Sequence, residues 1–459
     1  MPICKMIRRV AATCLMLMGS VVFAAAGDFD PSFNGLGFTR DFIPDLSGTS
    51  GVAIHSTGEI VTSGFYLDRG TSNQHLVVWR HLPDGSLDAT FGGTGVVYPT
   101  PSPAGLSGVA TALAIDNQDR IVLVAIATDF HVVYRLNFDG SPDLGFSGTG
   151  SMTVPLGGFV FGITGVAIQP DNKIVAAGSL ATATSEFTVY RVQEGGGLDP
   201  DFGGTGIVMT QITPGGGADR ATGVAIQPDG NIVVAGRART LVVGSFYNFA
   251  LARYLPAGVL DDSFGDGGKV VFRFLDDSLG RKVIIQPDGK IVIAGSTCIG
   301  ATSDYCYFAA ARVDEAGALD SSFGDGGKVY TDVGNHGGLG FDVALQPDGR
   351  ILVAGEHQWT ADRVAGSGEN GILIRYLPNG FPDPAFGLLG ISETNYGYVQ
   401  NEISTVRVQA DGQIVISAFT GNAVSASAVT ARFVGSDGPF TTGAGSGALQ
   451  LPKSPQVEQ

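Results

Sequence analysis

The phrase "RYLPAGVLDDSFGDGGKV", from Arg253 to Val270, returns in near-copy along the whole chain, as in "RVDEAGALDSSFGDGGKV" from Arg312. Its phenylalanine falls at Phe33, Phe91, Phe146, Phe202, Phe264, Phe323 and Phe386, spaced 55 to 63 residues apart. A glycine stands four positions after each one, at Gly37, Gly95, Gly150, Gly206, Gly268, Gly327 and Gly390. Units this short bury little apolar surface alone, so each must pack on its neighbours.

Between the phrases lies a second repeated line, "GVAIQPDGNIVVAG" from Gly223 and "KVIIQPDGKIVIAG" from Lys282. Each reads as two β-rich runs around a Pro-Asp-Gly turn, the pattern of a tight hairpin. A third run, "NFALARYL" from Asn248, follows, and the phrase itself ends in a fourth, "GKVVFRF" from Gly268. Four short strands (a, b, c and d) per unit, without helical periodicity, predict propeller blades. The fold expected is an all-β, seven-bladed β-propeller. The chain opens its repeats with a lone d strand, "FTRDFI" from Phe38, and its last c strand is "AVTARFV" from Ala428, so the first strand should complete the last blade. Such one-plus-three closure removes the free sheet edges.

Each c strand holds an arginine: Arg80, Arg135, Arg191, Arg253, Arg312, Arg375 and Arg432. In the first six, an aspartate follows eight residues later: Asp88, Asp143, Asp199, Asp261, Asp320 and Asp383. The seventh arginine has Phe440 at that place, and the missing carboxylate is Asp30, at the start of the repeats. The arginine shares its strand face with Phe249 and Leu251 in "NFALARYL" and so points into an apolar layer between blades. A charge there needs a partner. The spacing therefore predicts seven structural ion pairs, with Asp30 and Arg432 joining the two ends.

The lines "QPDGKIVIAG" from Gln286 and "LDDSFGDGGKV" from Leu260 resemble the delta-60 repeat of secreted and surface proteins of bacteria, and more distantly the NHL-type propeller blade. The resemblance spans roughly residues 27 to 439. Two copies depart from it, with "HSTGEI" at His55 and "DNQDRI" at Asp116. It implies a repeat protein outside the bacterial cytoplasm and brings no established catalytic motif.

The ends agree with export. Lys5, Arg8 and Arg9 precede an apolar run from Val10 to Phe23 and the small residues Ala24, Ala25 and Ala26. Residues 1–26 thus read as a signal peptide cut after Ala26, residues 27–439 as the propeller, and the Gly- and Ser-rich residues 440–459 as a flexible tail. Export takes three positive charges away, moving the formal net charge from −16 to −19. Nucleic acid, which needs clustered Lys and Arg, is not an expected partner. No later stretch suits a membrane span, and a monomer in the periplasm or medium is expected. Only Cys298 and Cys306 remain after the cut, and in an oxidising compartment they are expected to pair.

The a–b and c–d turns are nearly uniform among the copies, whereas the b–c and d–a connections vary in length and content. Both variable sets leave a propeller on the same face, so a site is expected there. The longest connection, "EHQWTADRVAGSGENG", offers His357, Trp359, Asp362, Arg363 and Glu369. Others on this face are Asp219 and Arg220, the group Asp276, Asp277 and Arg281, and His336 with Asp342. Asp276 and Asp277 are calcium candidates, although a solvated turn explains them as well. Asp266 and Asp325, in "FGDGG", read as turn residues. The six histidines show no metal-ligand spacing, and no nucleophile elbow or phosphate loop is present. Three functions stay open: a non-enzymatic propeller binding a protein or glycan through the variable face, a hydrolase or lyase acting on polysaccharide or peptide, and a structural surface module.

Overall fold

The computed structural model describes residues 24–41, 46–68, 70, 73–99, 110–126, 130–156, 159–181, 185–214, 218–239, 246–300, 305–334, 337–358, 369–396, 400–421 and 426–436. Its strands form seven antiparallel four-stranded sheets, and no helix occurs among the described residues. In blade 4 strand a is Arg220–Ile226, b is Ile232–Arg239, c is Tyr247–Tyr254 and d is Lys269–Phe272. The d strands span only two to five residues, which keeps each outer edge short.

Alternation along the strands builds the core between blades rather than within them. In blade 4, Val233 and Ala235 of strand b and Phe249 and Leu251 of strand c join Val283, Ile291 and Ile293 of blade 5 in one buried layer. The opposite face of the same blade, with Ile232, Val234, Ala250 and Ala252, packs on blade 3.

Closure is one plus three. Phe38–Asp41 pairs antiparallel with Ala426–Phe433, completing the blade built from Gln400–Val408 and Ile414–Gly421. Arg432 Nε donates to Asp30 Oδ2 at 2.8 Å across 402 positions of sequence. The other six pairs repeat this geometry, with Nε to Oδ2 distances of 2.7 to 2.8 Å. Each guanidinium also stacks over the phenylalanine of its own phrase, at 4.5 to 5.1 Å from the ring centre. Its far nitrogen donates to a carbonyl in the c–d turn of the next blade: Phe138, Glu194, Pro256, Glu315, Pro378, Gly435 and, across the seam, Pro83. The repeated phrase is therefore a fastener that ties every blade to its successor.

The glycine four positions after the phenylalanine closes that turn with positive φ, +87° at Gly95, where a Cβ would stand 2.4 Å from Leu87 Cγ. At the seam, residues 432–436 supply only part of the turn. Ala26 provides the rest: it is buried against Phe386, and its carbonyl accepts the amide of Gly387, as the carbonyl of Ala316 accepts that of Gly265. The cleavage expected after Ala26 would remove that hydrogen bond.

Candidate functional site

All seven a strands line a central cavity of about 340 Å³. Each carries a β-bulge one residue before its "GVAI"-like segment, at Ser50, Thr111, Thr164, Thr222, Arg281, Phe341 and Ser404. In blades 4, 5 and 6 a strand-b glycine lets the strands close up beside it: at Gly236, Gly295 and Gly355 a Cβ would lie only 1.9, 2.0 and 1.9 Å from the carbonyl oxygens of Arg220, Leu279 and Leu339, whereas blades 2 and 7 carry Ala125 and Ala418 there. Bulge side chains bridge to the next blade. Thr222 Oγ1 donates to Gly280 O at 3.0 Å, and Ser404 Oγ lies 2.9 Å from Thr49 Oγ1.

The sevenfold pattern is broken chemically in blades 5 to 7. Blades 1 to 4 place Gly51, Ala112, Gly165 and Gly223 after the bulge, whereas blades 5 and 6 place Lys282 and Asp342 there, and blade 7 adds Arg407. Asp342, buried at 3% exposure, accepts the Arg407 guanidinium at 2.7 Å and the amide of Val406 at 2.9 Å through one oxygen. Lys282 is half-buried and walled in by protein, as a channel side chain must be. Burial pushes its ammonium down to about 8; Asp342 pulls it up, while Arg407 and Arg281 push it further down. One wall of the channel is thus charged and the other is built from small and apolar residues.

At the end of the channel that carries the b–c and d–a connections, blades 4 and 5 assemble a basic group. Arg220 and Arg237 are direct cross-strand partners. Arg237 stacks over Tyr247 at 4.6 Å and Arg281 over Phe341 at 5.1 Å. Their strands meet closely: a Cβ on Gly280 would lie 2.2 Å from Gly236 O. Burial, with Arg220 and then Arg281 among the neighbours, pushes Arg237 down to about 10, and burial also lowers Arg281.

Several sequence candidates take other parts. Asp219 is fully buried and holds its own loop, accepting Ile212 N at 2.8 Å, Thr213 N at 3.0 Å and Thr213 Oγ1 at 2.8 Å, so it is a loop anchor rather than an exposed ligand. His357 belongs to strand b of blade 6, Ile351–Gln358, because pairing with Gly338 and Asn370 extends that strand past Gly355; the imidazole is buried at 3% exposure. Asp342 lies inside the channel rather than on the outer face. Asp276 Oδ2 accepts Gly300 N and Asp277 Oδ1 accepts Tyr247 N, both at 2.8 Å. Among the described residues no three His, Cys, Asp or Glu side chains gather as a metal site. His336, Trp359, Asp362 and Arg363 lie outside the described residues.

Cys298 and Cys306 form a disulfide between directly paired positions of strands b and c of blade 5, with Cα atoms 4.0 Å apart. It ties the base of that blade's b–c connection. The convergence expected of a propeller hydrolase, histidines with acidic groups at the channel, does not occur among the described residues lining the cavity, where Asp342 is the acidic member and no histidine stands. Of these basic residues, the loop pattern of the sequence points to Arg220 and Arg281 and not to Arg237, Lys282 and Arg407. The signal was available: each breaks its repeat at a fixed position of strand a or b.

The family described as "Domain of unknown function (DUF5122) beta-propeller" matches residues 227–264, 286–323 and 346–386. No curated protein is similar to the chain in sequence. Among solved structures, virginiamycin B lyase from Staphylococcus aureus aligns with 86% of this chain and 99% of its own at 10% identity and a TM-score of 0.46. The β-propeller domain of the trilobed protease from Pyrococcus furiosus aligns with 85% of this chain and 94% of its own at 10% identity and a TM-score of 0.45. Drosophila Semaphorin 1a, extracellular domains 1-2, aligns with 84% of this chain and 86% of its own at 9% identity and a TM-score of 0.46. No helix among the described residues is long and apolar enough to cross a membrane. The matched segments, falling on successive blades, support a β-propeller repeat family.

Proposed function

We propose that this chain is an exported, non-enzymatic propeller that binds a protein or glycan through the face carrying its b–c and d–a connections, around the mouth of the central channel. We assign its units to the delta-60 type and its residues 1–26 to a signal peptide. One observation carries the reading: the repeat is kept where the blades are fastened and abandoned, in neighbouring blades, around one end of the channel. Binding sites are commonly built on variable loops held by a rigid scaffold, and this division of labour has that form.

The test is a glycan array and a pull-down from exported proteins, run with the purified mature chain and with Trp359→Ala and Arg363→Ala variants. The expected outcome is a partner whose affinity falls in the variants while the thermal midpoint stays unchanged. A partner lost instead on changing the uniform a–b turns of a folded protein would place the site on the opposite face. Amino-terminal sequencing of the exported protein tests the export assignment, and a retained residue 1 would end it.

A further inference from the structure

Two arginines at the channel mouth stand where the other blades do not carry one. In strand b, the position of Arg237 is held by Phe65, Ile126, Ser179, Ser296, Glu356 and Phe419 in the other blades. Where it is serine its job is visible: Ser179 Oγ accepts Ala221 N and Ser296 Oγ accepts Gly340 N, both at 2.9 Å, each tying down the next blade's strand a. Arg237 gives up that bond. Arg281 likewise replaces the hydroxyl that Thr222 and Ser404 use to bridge blades. Across the strand pair from Arg237, Arg220 occupies the place taken by Leu279 and Leu339 in the next two blades.

At Arg237 and Arg281 these replacements give up blade-bridging bonds with no evident structural return. Like charges set directly opposite in a sheet are unfavourable. The fastening arginines each have an aspartate, but among the described residues no carboxylate makes a salt bridge to Arg237 or Arg281, and the Nε of each is buried without a hydrogen-bond partner. Asp277 acts on Arg237 and Glu356 and Glu402 on Arg281 only at longer range. Stacking on Tyr247 and Phe341 fixes each guanidinium by its face and leaves its N–H edge for an acceptor.

We propose that Arg237 and Arg281, with Arg220 beside them, form an oxyanion site at the blade 4 and blade 5 edge of the channel mouth, which takes a carboxylate, sulfate or phosphate group of the ligand. An oxyanion supplies the acceptors that the buried Nε atoms of Arg237 and Arg281 lack and relieves the repulsion among the guanidiniums, through charge-assisted hydrogen bonds. The site rests on the reading of this face as the binding face and gives its ligand a chemical class.

Calorimetric titration at low ionic strength with sodium phosphate, sodium sulfate, galacturonate and neutral galactose tests it, on the wild type and on an Arg237→Ser, Arg281→Thr double variant. These replacements restore residue types that other blades use, and a thermal melt confirms that the variant is folded. At least one anion should bind the wild type, galactose should not, and the double variant should lose affinity by about tenfold or more. Binding of galacturonate points to an acidic glycan, and binding of phosphate or sulfate alone points to an ester or the free ion. If no anion binds, or the folded double variant binds as the wild type does, the site is wrong. A partner that still binds the double variant but not the Trp359→Ala variant would sink this inference and leave the binding face standing.

Discussion

The molecule contains two sets of arginines that look alike in sequence and differ in what surrounds them. On the c–d side, seven guanidiniums are each held by an aspartate, a ring and a neighbouring carbonyl, with the same geometry in every blade. At the channel mouth, Arg237 and Arg281 keep the ring, but among the described residues neither makes a salt bridge to a carboxylate and the Nε of each has no hydrogen-bond partner. The first set is what a sevenfold fold requires of all its units, so it is repeated. The second appears in single blades, against local stability, and such departures are where a ligand is to be sought.

Acid should separate the two sets with the largest effect. Burial alone would raise Asp30, Asp88, Asp199 and Asp320, but hydrogen bonds from Ser32, Thr90, the amide of Asp201 and Ser322, together with the paired arginines and lysines, hold their carboxyls below the usual value. Asp261 is lowered chiefly by Ser263. A carboxyl whose folded pKa is depressed contributes stability that is complete above the unfolded value, about 3.9, and is lost as pH falls through the folded one. His131 acts earlier. Burial lowers its imidazole to about 3, so only the unfolded state gains its proton as pH drops below the ordinary histidine value of about 6.5. Urea midpoints should therefore fall from pH 6.5 downward and collapse below pH 4. A midpoint unchanged between pH 6.5 and 3 would show that the fasteners contribute little.

Next in size are single fasteners. Arg253→Ala leaves Asp261, at 8% exposure, without its guanidinium and should cost about 3 kcal/mol. Arg432→Ala should cost at least as much, because the same pair also joins the first strand to the last blade. Chemical denaturation measures both, and equality with an exposed control such as Arg273→Ala would refute the fastening role. Reduction of the Cys298–Cys306 disulfide, or Cys298→Ser with Cys306→Ser, should cost less, about 2 kcal/mol, as expected for a short closed loop. Loss of ligand binding without loss of stability in this variant would instead tie the disulfide to the shape of the mouth.

The sequence disclosed the fold well because the same four-strand pattern is written seven times and each copy corrects the others. Even the pairing of Asp30 with Arg432 could be read, since six complete phrases define what the broken seventh lacks. The site was less legible. Chemical type within loops points to Asp219, His357 and Asp342, whereas these residues are fixed by backbone bonds or burial that only pairing and bulge geometry show. Arg237 escapes a search of the loops because it lies inside a strand. Its stripe, Val233, Ala235, Arg237 and Arg239, runs from an apolar layer into two arginines.

The most direct test of this contrast is the thermal midpoint of Arg237→Ser set beside that of Arg253→Ser. Serine at 237 restores the residue that Ser179 and Ser296 represent in blades 3 and 5 and removes the charge opposite Arg220, so the account predicts a midpoint equal to or above the wild type, corresponding to a stability gain of up to about 0.5 kcal/mol. Arg253→Ser should fall well below it. A loss at Arg237→Ser as large as that at Arg253→Ser would contradict the account, making the channel-mouth arginines fasteners like the rest.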